Sequence, residues 1–118
     1  RGGGLCGVGR YENETGRFTV GVVAEPEGPD APVELTYNWD PETYTGGRNF
    51  GHLAIEVSNV YDCCAGLQKQ GITINRPPRD GRMAFIKTPD GISIEILQAG
   101  NALAIAEPWA SMANTGSW

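Results

Sequence analysis

GHLAIEVSNVYDCCAGLQKQG, residues 51–71, changes within one segment from a two-residue hydrophobic period to a helical one. In His52–Val57 (HLAIEV) apolar residues alternate with others, which is typical of a β-strand with one buried face. After Asn59 the apolar residues follow the helical spacing i, i+3, i+4, i+7. They are Val60, Cys63, Cys64 and Leu67. The segment therefore predicts a strand followed by a helix with a single apolar stripe.

The expected limits of the helix come from its flanking residues. Asn59 can cap the N-terminus, Asp62 lies in the first turn, and Gly71 can end the helix. Two short strands are predicted to follow, near 71–75 and 82–87. A third strand is predicted at 92–97 (ISIEIL), after the turn sequence TPDG. The second half of the chain is thus read as β-α-β-β-β.

The first half of the chain shows strands without a preceding helix. Arg17–Ala24 (RFTVGVVA) and Val33–Asn38 (VELTYN) have strand composition or alternation. Residues 1–10 (RGGGLCGVGR) and 25–32 (EPEGPDAP) are rich in glycine or proline and are predicted as loops. At the other end, 99–118 is expected to be a tail pinned to a surface by its tryptophans. These elements together predict an α+β fold.

Composition limits the function classes. The chain has 118 residues, a formal net charge of −5, three cysteines and one histidine. An acidic balance argues against nucleic acid, and no apolar run reaches the ~20 residues of a membrane span. An odd number of cysteines without regular spacing favours a reducing, cytoplasmic setting. A single histidine excludes a zinc finger within this chain.

Three predicted strands have a second face that carries an ionisable group between small or apolar residues. These groups are Glu34, His52 and Glu95. One interpretation is an ordinary solvated sheet face. The other is a metal site, because two carboxylate oxygens and one imidazole nitrogen form a usual ligand set for divalent cations. Alternation alone leaves both interpretations open.

Two longer strings carry a family resemblance. They are VELTYNWDPETYTGGRNFGHLAIEV (33–57) and PPRDGRMAFIKTPDGISIEILQ (77–98). With ELTYNW, GHLA and TPDGISIE in this order, the chain from about Tyr11 to Trp118 closely resembles the glyoxalase I (lactoylglutathione lyase) family of the vicinal oxygen chelate superfamily. The resemblance implies a glyoxalase-type fold of paired βαβββ modules. The expected parts are a truncated first module (1–50), a second module (51–98) and a C-terminal extension (99–118).

The resemblance also implies an activity and a site. The family uses Ni²⁺ or Zn²⁺ to convert the hemithioacetal of methylglyoxal and glutathione into S-lactoylglutathione, in homodimers with interfacial metal sites. By position, Glu34, His52 and Glu95 resemble metal ligands, with Glu95 as the catalytic base and Glu34 as the second carboxylate. The expected substrate-binding residues are Asn38, Arg48, Arg76, Arg82 and Met83.

One departure from the family pattern affects the expected activity. The family's first histidine ligand and one substrate-binding arginine lie in a strand and helix that this sequence lacks. The sequence begins with Arg1 in RGGGLCGVGR instead, so it looks shortened, and impaired isomerase activity is expected. Two other functions are considered: a non-catalytic binding protein of the antibiotic-sequestering type, and a ring-cleaving dioxygenase. The dioxygenase fits poorly because its iron site requires two histidines.

Overall fold

The computed structural model describes residues 5–26 and 28–118. The chain divides into two compact units, Arg1–Thr43 and Tyr44–Trp118. Among the described residues the first unit contains a three-stranded sheet, and the second contains another three-stranded sheet and one α-helix. The predicted α+β class is confirmed. The domain boundaries at residues 50 and 98 stay predictions.

The sheet of the first unit is an antiparallel meander. Its strands are β1 (Cys6–Asn13), β2 (Phe18–Glu25) and β3 (Gly28–Asn38), with β2 in the centre. β2 is rich in β-branched and aromatic residues, which favour the extended backbone. Val20 and Ala24 on this strand are buried. The strand predicted at 17–24 is therefore confirmed, with each end shifted by one residue.

Two segments predicted as loops are largely strand, so these predictions are wrong. β1 pairs with β2 from Cys6 to Asn13, while residues 1–4 of the first predicted loop lie outside the described residues. β3 begins at Gly28, within the second predicted loop. The glycine and proline content of a segment reflects only its local conformational preference. In both segments, hydrogen bonds to the central strand β2 hold the backbone in the extended conformation. Prolines are tolerated in β3 because it lies at the edge of its sheet.

The apolar face of β3 is open to solvent. Leu35 and Tyr37 are 59% and 69% exposed. Strand alternation predicts that Val33, Leu35 and Tyr37 form an apolar face suited to packing against a helix, and for β3 this prediction is wrong. The physical reason is that the described residues of the first unit contain no helix to cover it.

The sheet of the second unit has the order β4-β6-β5. Its strands are β4 (Leu53–Val57), β5 (Met83–Lys87) and β6 (Ser93–Gln98). β6 is parallel to β4 and antiparallel to β5. The strand predicted near 71–75 is wrong: pairing there is reduced to one bridge between Arg76 and Phe85. Pro77 and Pro78 follow immediately, and proline lacks the N–H needed to continue a ladder.

The helix α1 (Val60–Lys69) has the predicted limits and the predicted stripe. The Asn59 side chain accepts a hydrogen bond of 3.0 Å from the Asp62 backbone N–H, and Gly71 follows the helix with a φ of +83°. The stripe faces the sheet, and Val60 and Cys64 are fully buried. No helix among the described residues is long and apolar enough to cross a membrane.

We expect Asn59→Ala to lower the free energy of unfolding by about 1 kcal/mol. The substitution leaves the Asp62 N–H at the helix N-terminus without its side-chain acceptor. Urea unfolding followed by circular dichroism measures the change. Ser58→Ala is the matched control. The adjacent Ser58 is exposed, and its contact with Gln98 is made by the backbone carbonyl, which the substitution keeps. An equal loss in both variants would contradict the capping role.

The hydrophobic core of the second unit lies between α1, the sheet and the tail. Its buried members are Val60, Cys64, Ile74, Ala84, Ile96 and Trp109. Burial, together with the neighbouring Cys63, raises the pKa of Cys64 to about 12, and burial also raises the pKa of Cys63. Because the thiolate is the metal-binding and nucleophilic form, both cysteines act as core residues at neutral pH.

The tail 99–118 is fixed along the surface of the second unit. Trp109 is 5% exposed and stacks on Tyr61, with ring centroids 6.3 Å apart. The Tyr61 hydroxyl donates to the carbonyl of Ala104, and Arg79 donates to the carbonyl of Met112. The prediction that tryptophan pins the tail is confirmed for Trp109.

Candidate active site

Glu95 occupies the middle of the central strand of the second unit. Its sheet partners are Ala54 on β4 and Phe85 on β5. The next residue, Ile96, is buried in the core. Because successive strand side chains point to opposite faces, Glu95 lies on the sheet face away from that core.

His52 immediately precedes β4 and meets Glu95 on this face. The His52 Nε2 and Glu95 Oε2 atoms are 3.0 Å apart, and the two side chains are 42% and 15% exposed. The ring of Phe85 contacts the imidazole edge to face, with centroids 5.3 Å apart and an interplanar angle of 83°. The carboxylate and the ring together restrain the orientation of the imidazole. We call these two residues the His52/Glu95 pair.

Several neighbours of the His52/Glu95 pair on this sheet face are apolar, and the carboxylate of Glu56, whose sheet partner is Leu97, shares the face. Ala54 and Phe85 flank Glu95 in the sheet, and Leu97 and Met83 are paired two residues further along. A carboxylate at 15% exposure in such surroundings is partly shielded from water. This strengthens its electrostatic interactions with any bound group.

The donor atoms of the pair suit a divalent cation. At 3.0 Å the Nε2 and Oε2 atoms are within hydrogen-bond distance of each other, and without the shared proton each has a lone pair that a cation could accept. Within 5–26 and 28–118, however, no group of three or more His, Cys, Asp or Glu residues stands ready to hold a metal. The His52/Glu95 pair thus brings together two potential donors, one nitrogen and one oxygen.

Glu34 lies in the first unit, on β3. Its side chain is exposed, and its sheet partner is Val22. Strand alternation places Glu34 on the same face as Thr36 and Asn38. This face thus carries a carboxylate and an amide from one strand.

Asn38 belongs to a polar cluster at the end of β3. Its amide donates to Glu42 at 3.0 Å, and Arg17 forms a two-bond ion pair with Asp40 at 2.7 and 2.8 Å. The guanidinium of Arg17 lowers the pKa of Asp40 below its usual value. These four side chains and Gly16 line a cavity of about 220 Å³. The Arg17 guanidinium also lies 5.7 Å from the Trp39 ring centre, which adds a cation–π contact at the strand end.

The other predicted substrate-binding residues lie in the second unit. Arg48 is exposed in a turn. The guanidinium of Arg76 is already engaged, with the Met83 carbonyl at 2.7 Å and the Asp80 carboxylate at 3.0 Å. Arg82 is exposed and donates to the Gly100 carbonyl, and Met83 is half-buried. Of these residues, Arg48 and Arg82 present the more accessible guanidinium groups.

Asp80 organises the turn that carries two of these residues. Its carboxylate accepts hydrogen bonds from the backbone N–H groups of Arg82 and Met83. Burial by itself would raise the pKa of Asp80, but these bonds and Arg76 hold it below the usual value. Gly81 in the same turn has a φ of +67°, and the Leu103 backbone fills the place of a Cβ. Only glycine therefore fits this position.

The sequence patterns identify neither Phe85, next to the pair, nor Trp118, next to Phe85, as a site residue. Phe85 contacts His52, and Trp118 contacts Phe85 with centroids 6.3 Å apart. The register of β5 against β6 would have identified Phe85, since it is the partner of Glu95. Trp118 has no periodic signal, because the path of the tail depends on individual hydrogen bonds.

Known proteins resemble most of this chain. The pattern of the Glyoxalase/Bleomycin resistance protein/Dioxygenase superfamily matches residues 8–96. Lactoylglutathione lyase of Neisseria meningitidis is 39% identical over 95 residues, covering 75% of this chain and 69% of the relative. The corresponding protein of Salmonella typhimurium is 35% identical over 97 residues, covering 77% and 72%.

Solved structures show the same likeness. The trypanothione-dependent glyoxalase I of Leishmania major superposes with a TM-score of 0.72 at 30% identity, over 80% of this chain and 69% of that one. Glyoxalase I of Zea mays gives a TM-score of 0.72 at 28% identity, over 82% of this chain and 37% of that one. The glyoxalase-type fold expected from the sequence is confirmed. This chain belongs to the Glyoxalase/Bleomycin resistance protein/Dioxygenase superfamily.

Proposed function

We propose that the protein is a glutathione-dependent metal isomerase, a lactoylglutathione lyase. The reaction converts the methylglyoxal–glutathione hemithioacetal to S-lactoylglutathione, and so removes a reactive aldehyde. The observation that carries this proposal is the His52/Glu95 pair, which places an imidazole nitrogen and a carboxylate of 15% exposure 3.0 Å apart on the sheet face away from the core. The similarity to named lactoylglutathione lyases supports it.

The proposed metal ligands are His52, Glu95 and Glu34. The first two fit a divalent cation by atom type, since an imidazole nitrogen and a carboxylate oxygen lie close together. The chemistry that such a cation supplies, when bound, is Lewis-acid stabilisation of charge on the two vicinal oxygens of the substrate. Ni²⁺ and Zn²⁺ both accept this mixture of nitrogen and oxygen ligands.

Glu95 is the proposed catalytic base. The isomerisation removes a proton from the carbon that carries sulfur and returns a proton to the adjacent carbon. One carboxylate within reach of both carbons can perform both transfers, so no further reactant is consumed. Shielding by Ala54 and Phe85 favours this role, because it limits exchange of the proton with water. Glu34 is proposed as the second carboxylate, serving the opposite face of the substrate.

Binding of the glutathione part is proposed for Asn38, Arg48, Arg76, Arg82 and Met83. Guanidinium groups pair with carboxylates in a bidentate manner, and glutathione carries two carboxylates. The exposed Arg48 and Arg82 have room for this contact. The guanidinium of Arg76 is already bonded to the Asp80 carboxylate and the Met83 carbonyl. Its main proposed role is therefore to shape the turn that carries Arg82 and Met83. A cytoplasmic homodimer with interfacial metal sites completes the proposal.

The test is an isomerase assay on preformed hemithioacetal, with chelator-treated protein and added Ni²⁺ or Zn²⁺. The expected result is turnover that depends on metal and disappears again with chelator. Absence of turnover with either metal, in protein shown to be folded by circular dichroism, would contradict the enzyme. If such protein also retained no stoichiometric divalent metal after dialysis, the non-catalytic binding function of the antibiotic-sequestering type would be favoured instead.

A further inference from the structure

Trp118 lies on the same side of the second unit as the His52/Glu95 pair. Its indole contacts Phe85, with centroids 6.3 Å apart and an interplanar angle of 34°, and Phe85 contacts His52. We propose that Trp118 is a specificity-determining residue, which together with Phe85 forms an aromatic wall for the apolar group that the aldehyde contributes to the hemithioacetal. This inference rests on the proposed function.

The exposure of Trp118 distinguishes it from a packing residue. Trp109 in the same tail is 5% exposed and belongs to the core, whereas Trp118 is 42% exposed. An indole that contacts Phe85 at a tilt of 34° and stays 42% exposed can still bury apolar surface of a ligand. Small-molecule sites are lined in this way, by aromatic side chains around a few polar groups.

The position of Trp118 is set by contacts that do not involve its own ring. Asn75 and Thr115 exchange two hydrogen bonds, of 2.8 and 2.9 Å. Lys87 donates to the Ser117 hydroxyl at 3.2 Å, and Arg79 donates to the Asn114 side chain at 2.8 Å. Since these bonds hold the tail up to Ser117, a substitution of Trp118 is expected to alter the wall and leave the tail in place.

The chemistry of the wall predicts a preference for bulkier, flatter aldehyde groups. A phenyl group gains contact area and favourable ring geometry against the indole, while a methyl group gains little. Trp118→Ala should therefore lower kcat/KM for the phenylglyoxal hemithioacetal about five- to tenfold relative to the methylglyoxal hemithioacetal. Trp118→Phe keeps an aromatic surface and should retain the wild-type ratio within about twofold.

Ile105→Ala is the matched control in the tail. Ile105 is 72% exposed and has no role in the wall, so this variant should keep the wild-type ratio. An unchanged ratio in Trp118→Ala, with unfolding midpoints equal to wild type, would overturn the assignment. The same holds if both substrates lose activity equally, because that pattern indicates general damage to the site.

A binding measurement separates this inference from the proposed activity. S-phenacylglutathione and S-acetonylglutathione are stable thioethers that carry a phenyl and a methyl group, respectively, at the position of interest. Calorimetry should show that Trp118→Ala lowers the binding affinity for the phenacyl compound about five- to tenfold relative to the affinity for the acetonyl compound. An equal loss of affinity for both compounds, or no loss for either, would refute the assignment of Trp118 to the aromatic wall. Lack of turnover in the wild type would refute the isomerase and leave this binding result interpretable.

Discussion

Glu95→Gln is expected to lower turnover of the methylglyoxal hemithioacetal by a factor of about 10²–10⁴. The amide has nearly the same shape as the carboxylate but cannot accept and return a proton. It is also a weaker ligand for a divalent cation. Steady-state kinetics at saturating metal measure the effect on kcat, and a parallel metal titration shows how much of the loss comes from weaker metal binding.

The fold should survive this substitution, because Glu95 lies on the sheet face opposite the buried Ile96. Glu56→Gln is the matched control. Glu56 is an exposed carboxylate on β4, paired with Leu97 two residues along the same face, and its replacement removes the same charge. Wild-type turnover in Glu95→Gln, or an equal loss in Glu56→Gln, would remove Glu95 from the role of base.

The strand faces that carry the His52/Glu95 pair are visible in the sequence. Alternation in HLAIEV and ISIEIL assigns His52, Ala54 and Glu95 to faces opposite the apolar residues, and the observed register makes Ala54 and Glu95 sheet partners. The helix between these strands is equally predictable, because Asn59 and the stripe around Cys64 are local signals. Short-range periodicity is therefore enough to predict a strand or helix and its buried face when the elements packed against it are periodic as well.

Other features depend on contacts that periodicity does not encode. β1 is glycine-rich and is held in extended form by its hydrogen bonds to β2. Leu35 and Tyr37 have the pattern of a buried face, yet they are exposed where no helix of their own unit covers them. Trp118 reaches Phe85 through a tail path fixed by single bonds such as that between Lys87 and Ser117. In each case the outcome is decided by a distant partner, not by neighbours in sequence.

The second large effect concerns stability: Trp109→Ala is expected to lower the free energy of unfolding by about 3–5 kcal/mol. The indole is 5% exposed, belongs to the core cluster and stacks on Tyr61 with nearly parallel rings. Its loss leaves a cavity at the point where the tail joins the helix, and domains of this size have only about 5–15 kcal/mol of total stability. Chemical denaturation measures the change.

The consequence of losing Trp109 should extend to the far end of the tail. Trp118 contacts Phe85 only while the residues before it remain docked, so a loosened tail should also lose the selectivity expected from the wall. Trp109→Phe, which keeps most of the buried ring, should recover most of the stability, and Ile105→Ala should cost less than about 0.5 kcal/mol at its exposed site. If Trp109→Ala unfolds at the wild-type denaturant concentration, the tail is not part of the core. Limited proteolysis then decides whether it is docked at all, because a docked tail resists cleavage between Ala99 and Trp109 and an undocked tail does not.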